Sequence, residues 1–103
     1  MTSWVRVRWH HLSPDFPVTL FSELDSDRWE MRKIEFYADG TVGYAGPQTE
    51  VGGSFLGEVT VPEVAEMNAD PQFEAVEISL EEFEREWMRA EGLPVRGEDS
   101  GKA

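Results

Sequence analysis

Between residues 3 and 11, apolar and polar positions alternate, with Val5, Val7 and Trp9 set against Arg6, Arg8 and His10. A period of two marks a half-buried strand. Residues 18–24 repeat the pattern, with Val18, Leu20 and Leu24 on one side and Thr19, Phe21 and Glu23 on the other. The intervening Ser13-Pro14-Asp15-Phe16-Pro17 is loop, because each proline removes a donor and biases its predecessor towards extended geometry. Asp25-Ser26-Asp27 has turn chemistry.

The clearest folding signal is 28–45, two β-rich runs joined by Asp39-Gly40. A two-residue type I′ turn there predicts a hairpin with Phe36 opposite Gly43 and Ile34 opposite Ala45 on one face. Tyr37 with Val42 and Glu35 with Tyr44 then occupy the other. The small Gly43 and Ala45 leave room for a helix over Ile34 and Phe36. Trp29 and Met31 break parity with Ile34 and Phe36. Either a β-bulge near Arg32-Lys33 resets the alternation or both faces of the strand are buried. The bulge is preferred, because burial on both faces would also bury Lys33 or Glu30.

Residues 47–53 read as a glycine-containing loop and 54–60 as a short strand. Thr60-Val61-Pro62-Glu63 fits a capping box for a short helix, with Thr60 as N-cap, ending near Asn68 before Asp70-Pro71. Residues 73–78 alternate again as the last strand. Ser79-Leu80-Glu81-Glu82 is a second capping box, and its helix carries Leu80, Phe83, Trp87 and Ala90 on one stripe. Glu81, Glu82, Glu84, Glu86 and Glu91 are assigned to solvent, and Gly92 and Pro94 end the helix. The pattern predicts one α+β domain over 1–92. Its twisted, mainly antiparallel sheet has about five strands, open or curled towards a half-barrel, with the C-terminal helix on one face and one short helix. Residues 93–103 are expected to be a disordered tail.

Composition narrows the function classes. The chain has 103 residues, no cysteine and a formal net charge of −12. Neither a disulfide nor a thiolate metal site is possible, and Met1-Thr2-Ser3-Trp4-Val5-Arg6 lacks the apolar core of a signal peptide. No run approaches the ~20 apolar residues of a membrane span. The expected compartment is the cytoplasm. Residues 1–46 hold seven acids and five bases, whereas 47–103 hold fourteen acids and four bases. Such a surface repels phosphate backbones, so no nucleic-acid partner is expected. Attraction to a basic protein is the functional reading and solubility the simpler one.

Candidate chemistry is sparse. His10 and His11 are adjacent on a strand and point to opposite faces, so a shared metal is not expected, and no cofactor is implied. Arg28, Glu30 and Arg32 share a face if no bulge intervenes. Alternating charges of that kind usually form cross-strand ion pairs, and the alternative is an arginine clamp on a carboxylate or phosphate. His10, Arg28, Glu30, Arg32, Lys33, Glu35 and Tyr44 are therefore the candidate ligand-binding residues. No nucleophile or oxyanion donor completes a catalytic set. Trp4, beside Arg6 and Arg8, and Phe16, between prolines, are the candidate protein-contact residues.

Several segments together carry a resemblance. They are Val7-Arg8-Trp9-His10-His11, Pro14-Asp15-Phe16-Pro17, Phe21-Ser22-Glu23-Leu24, Arg28-Trp29-Glu30-Met31-Arg32-Lys33-Ile34-Glu35 and Asp39-Gly40. Asn68-Ala69-Asp70-Pro71-Gln72-Phe73-Glu74 and Glu77-Ile78-Ser79-Leu80-Glu81-Glu82-Phe83 complete the set. The chain resembles a family of small, mostly bacterial stand-alone domains without an established function. The resemblance implies a complete domain, assigns no catalytic residues, and marks Arg28, Arg32, Lys33 and Glu35 as the places to look. The leading expectation is a non-enzymatic binding module for a basic protein, immunity- or adaptor-like, as a monomer or weak dimer. The alternative is a small-molecule binder or minor enzyme built on the Arg/Glu/His cluster. DNA mimicry by the C-terminal glutamates is a third.

Overall fold

The computed structural model describes residues 1–97. Six strands and two helices follow one another as β1 (Ser3–Trp9), β2 (Thr19–Leu24), β3 (Glu30–Phe36), β4 (Val42–Gly46), β5 (Thr49–Val51), α1 (Val64–Asn68), β6 (Phe73–Ile78) and α2 (Leu80–Glu91). The strands form one open antiparallel sheet in the order β5-β4-β3-β2-β1-β6. The fold is α+β, as the periodicity predicts. No helix among the described residues is long and apolar enough to cross a membrane.

Helix α2 lies on one face of the sheet. Ser79 caps it, its side chain accepting from the Glu82 N–H at 3.0 Å. The stripe expected to face inwards does so at Phe83 and Ala90, which are buried with Phe21, Ile34 and Val42, while Trp87 packs against that cluster. Leu80 is 40% exposed and stands outside it. Burial of Phe83 alone contributes about 2 kcal/mol.

The β3–β4 hairpin differs from expectation by one residue. Phe36 pairs with Val42, Glu35 with Gly43, Ile34 with Tyr44 and Lys33 with Ala45. The connection has three residues: the Gly40 N–H donates to Tyr37 O, the Tyr37 N–H donates to Thr41 O, and only Gly40 has positive φ (+88°). Asp39 does not enter the left-handed region. Its carboxylate instead accepts from both the backbone N–H and the hydroxyl of Thr41. A type I turn with a glycine bulge thus replaces the type I′ turn, and the slip inverts the facing of β4. Val42 and Tyr44 face α2. Gly43 faces the opposite side, where an added Cβ would sit 3.1 Å from Val51 O, so the small residue admits the 51–54 segment rather than the helix.

The β2–β3 turn repeats this geometry with arginine in place of glycine. The Arg28 N–H donates to Asp25 O, the Asp25 N–H donates to Trp29 O, and Arg28 has φ +69°. The parity break expected in β3 is present as a register shift. Glu23 faces Arg32 but Leu24 faces Glu30, which leaves Met31 as the extra residue. Bulge and burial on both faces occur together. Glu30 and Lys33 lie half-buried beneath the second face's cover, which comprises 54–63 and α1.

That cover departs from expectation. Residues 54–60 form no strand, and α1 begins at Val64 after Glu63, without a side-chain cap. Val61 and Pro62 occupy the positions the capping box would have used, and the Val61 N–H donates to Arg28 O. Residues 47–51, expected as loop, instead turn tightly at Pro47-Gln48 into β5. Residues 93–96, expected in the tail, run beside β4: the Val42 N–H donates to Pro94 O and the Arg96 N–H to Val42 O. Leu93 packs on the core. The rest of the expected tail, 98–103, lies outside the described residues.

Gly52 seals this corner. It has φ +70°, and an added Cβ would lie 2.7 Å from Val42 O. Gly40→Ala, with nothing within 4 Å of the added atom, is expected to cost about 1 kcal/mol from backbone conformation alone. Gly52→Ala adds a clash with backbone and is expected to cost at least about 2 kcal/mol. Urea unfolding measures both, and equal losses would contradict this packing.

Candidate functional site

Alternation along β1 and β3 sends Arg6, Arg8 and Arg32 to the face that α2 covers, so charges meet there. Arg32 is the centre. Its Nε and Nη2 donate to the two Glu23 oxygens at 2.8 and 2.9 Å. Nη1 and Nη2 donate to the Glu84 carboxylate at 3.1 and 2.8 Å. The guanidinium carbon lies 4.8 Å from the Phe83 ring centroid and 5.1 Å from that of Trp87. Trp4 Nε1 donates to Glu23 at 2.8 Å, extending the chain to β1. Two bidentate forks of this kind are strong and geometrically exacting. The Arg32 hydrogen bonds, followed by that from Trp4, hold the Glu23 carboxyl below the usual carboxylate range against the opposing effect of burial.

Three of the glutamates assigned to solvent on α2, Glu82, Glu84 and Glu86, therefore have partners, while Glu81 and Glu91 are exposed as expected. Glu82 accepts from Arg6 Nη1 at 3.5 Å, and Glu86 pairs with Arg89 at 2.9 Å. The Arg89 guanidinium lies 4.5 Å over Phe36. Between α2 and the β1–β3 face opens a cavity of about 480 Å³, with Arg6, Arg8 and Arg89 at its rim and Phe21, Phe36 and Tyr37 among its lining. Burial, with the Glu35 charge second, pushes the Tyr37 phenol up, while Arg96, 4.0 Å over its ring, works in the other direction.

The candidate ligand-binding residues do not converge. The Met31 bulge separates Glu30 from Arg32. Arg32 and Tyr44 belong to the α2 face, where Tyr44 meets Trp87 edge-on at 5.3 Å. Glu30, Lys33 and Glu35 belong to the opposite face. There Glu30 accepts from the Gly57 N–H at 2.7 Å and Ser22 Oγ at 3.2 Å, and Lys33 lies 3.6 Å from Glu30 and 3.9 Å from Glu35. Arg28 is a strut: Nε and Nη2 donate to Val61 O and Pro62 O, each at 2.7 Å, and Glu63 lies 3.4 Å away. Those bonds offset the roughly 1 kcal/mol cost of a left-handed non-glycine residue.

His10 lies at the exposed end of the sheet, 3.0 Å from Glu74. His11 points elsewhere. Its Nδ1 accepts from the Ser13 N–H and its Nε2 lies 2.8 Å from Pro17 O, so the neutral ring carries its proton on Nε2. Among the described residues no group of three or more histidines, aspartates or glutamates is arranged to hold a metal ion.

The contact candidates also divide. Trp4 is half-buried against the core. Phe16 is 51% exposed, 5.4 Å from Trp9, in an aromatic group with His11 and Phe73. Arg6, Arg8, Glu82, Glu86 and Arg89 were missed. The available signal was three cationic or amphipathic residues, Trp4, Arg6 and Arg8, on one face of a strand, and three alternating glutamates beside the helix stripe.

A family model described as a domain of unknown function (DUF6881) matches residues 3–92. No curated protein and no solved structure matches the chain.

Because Glu23 has a folded-state value below its unfolded one, its contribution to stability is complete above the unfolded value and is lost as pH falls through the folded value. Glu23→Gln is expected to destabilise the protein by about 2 kcal/mol at pH 7. The difference from wild type should shrink as pH drops below about 4.3. Urea unfolding at both ends of that range checks this, and a pH-independent difference would contradict the assignment.

Proposed function

The chain belongs to the DUF6881 family of domains of unknown function, and on that footing we propose that it is a non-enzymatic binding module for a basic protein partner, as an immunity protein or adaptor would be. The direction in which its charges face supports this reading. Arg6, Arg28, Arg32, Lys33, Arg89 and Arg96 are all held in ion pairs with acids of the chain. Exposed acids such as Glu58, Glu66, Glu77, Glu81 and Glu91 form no ion pair among the described residues. Among the described residues, acids without an ion pair thus face outwards.

The observation that carries the proposal is the surface along β6 and the start of α2. Val76 is 41% exposed and Leu80 40% exposed, with Glu74 on the same face of β6 as Val76 and Glu81 next to Leu80 in the chain. An apolar centre with a charged rim is the anatomy of a protein interface. Backbone pairing is not the means, since Asn68 occupies the outer edge of β6: its amide accepts from the Ala75 N–H at 2.6 Å and donates to Ala75 O at 2.9 Å. Side chains therefore carry the contact, and a guarded edge suits a monomer or weak dimer. We place the domain in the cytoplasm, in keeping with its lack of cysteine. The alternative of one ligand site shared by His10, Arg28, Glu30 and Arg32 has no support in their placement.

The test is retention of basic proteins on the immobilised domain at about 50 mM and 500 mM salt. A partner of the proposed kind is retained at low salt, released at high salt, and lost from the doubly substituted Glu74→Lys/Glu81→Lys variant. Retention indifferent to both changes would contradict the proposal.

A further inference from the structure

We infer that the cavity between α2 and the sheet is a binding site for a small organic oxyanion, a carboxylate or phosphate ester carried on a flat apolar body. This goes beyond the protein-binding role and does not depend on it. The charged groups at the cavity are Arg6, Arg8 and Arg89 against Glu82 and Glu86. Three cations facing two carboxylates make the site locally positive in a chain of net charge −12. At physiological ionic strength the screening length is about 8 Å, so these near groups outweigh the distant acids.

The arginines are also under-used. Arg6 has five N–H donors, yet its one ion pair is a long 3.5 Å contact to Glu82, and its Nε is buried without a hydrogen-bond partner. Arg8 is exposed and makes no ion pair among the described residues. Arg89 gives Nε and Nη2 to Glu86 with its guanidinium carbon 4.5 Å over the Phe36 ring, leaving Nη1 free of hydrogen bonds among the described residues. Arg32 shows what a fully engaged guanidinium looks like in this same layer, with four bonds to two carboxylates. Planar forks of this type match the two oxygens of a carboxylate or phosphate.

The cavity has the size of a small-molecule site. Its lining by Phe21 and Tyr37 favours a flat apolar body behind the anionic head. The Thr19 hydroxyl and the chain at Gly40 complete the lining at the sheet end.

The probes are benzoate, phenyl phosphate, benzyl alcohol and inorganic phosphate, titrated into the full chain and followed by amide shifts of Thr19, Tyr37 and Gly40. Saturable binding of benzoate or phenyl phosphate with a dissociation constant at or below about 1 mM is expected. Benzyl alcohol, which lacks the charge, should not bind. Arg8→Gln, at an exposed position with no ion pair, should fold normally and weaken binding about tenfold. Arg85→Gln, which removes the same charge from an exposed part of α2 outside the cavity, should leave binding unchanged. The inference is overturned if neither anion saturates the site, if Arg8→Gln binds as wild type does, or if Arg85→Gln weakens binding equally. Inorganic phosphate binding as tightly as phenyl phosphate would overturn the assigned ligand class.

Discussion

One guanidinium holds the two halves of this domain in register. Arg32 reaches from the third strand to Glu23 on the second and Glu84 on the helix, with the Phe83 and Trp87 ring centroids 4.8 and 5.1 Å from its guanidinium carbon. The apolar cluster of Phe21, Ile34, Val42, Phe83 and Ala90 supplies the larger share of stability. That cluster is nearly indifferent to sliding. The forks are not, because only one placement of the helix lets both Glu84 oxygens meet the Arg32 donors. A charge network that is part-buried at Arg32 and Glu23, and half-exposed at Glu84, adds little over an apolar replacement, yet breaking it leaves a covered charge unpaired. Its effect here is to specify where the helix sits.

The same network explains what the sequence shows and what it hides. Periodicity locates the strand 73–78, a first strand read over 3–11 that ends at Trp9, and the capped C-terminal helix with its inner stripe apart from Leu80, because each is decided by neighbours close in the chain. The β3–β4 register is not decided that way. Asp39-Gly40 is compatible with a two-residue turn and with a three-residue turn in which Gly40 alone is left-handed, and Asp39's bonds to Thr41 select the second.

Facing was lost for a different reason. Assigning charged positions to solvent presumes that one face of the sheet is open. Here α2 covers one face, and 54–63 with α1 cover the other, so Arg6, Arg32, Glu30 and Lys33 are all drawn under a lid with partners supplied from far along the chain. Of the expected cluster, the inserted Met31 separates Glu30 from Arg32, while His10 at the end of the sheet and Arg28 in the β2–β3 turn stand apart from both. Residues 93–103 as a whole are polar and glycine-containing, but Val42 offers the Leu93-Pro94-Val95-Arg96 start of that stretch a free backbone edge that local composition does not reveal.

Function follows from this segregation. Arg6, Arg8 and Arg89 line one cavity, while acids such as Glu58, Glu66, Glu81 and Glu91 are exposed without ion pairs among the described residues, so a small cationic site and an anionic surface are separated. The claim beneath both is that Arg32 fixes the helix that forms the cavity and presents the surface. Urea unfolding of Arg32→Met, alone and combined with Glu23→Gln and Glu84→Gln, tests it most directly. The account predicts a loss of about 3–5 kcal/mol for the single substitution, with most of it recovered in the triple variant. A single-variant loss under about 1 kcal/mol, or no recovery, would contradict it.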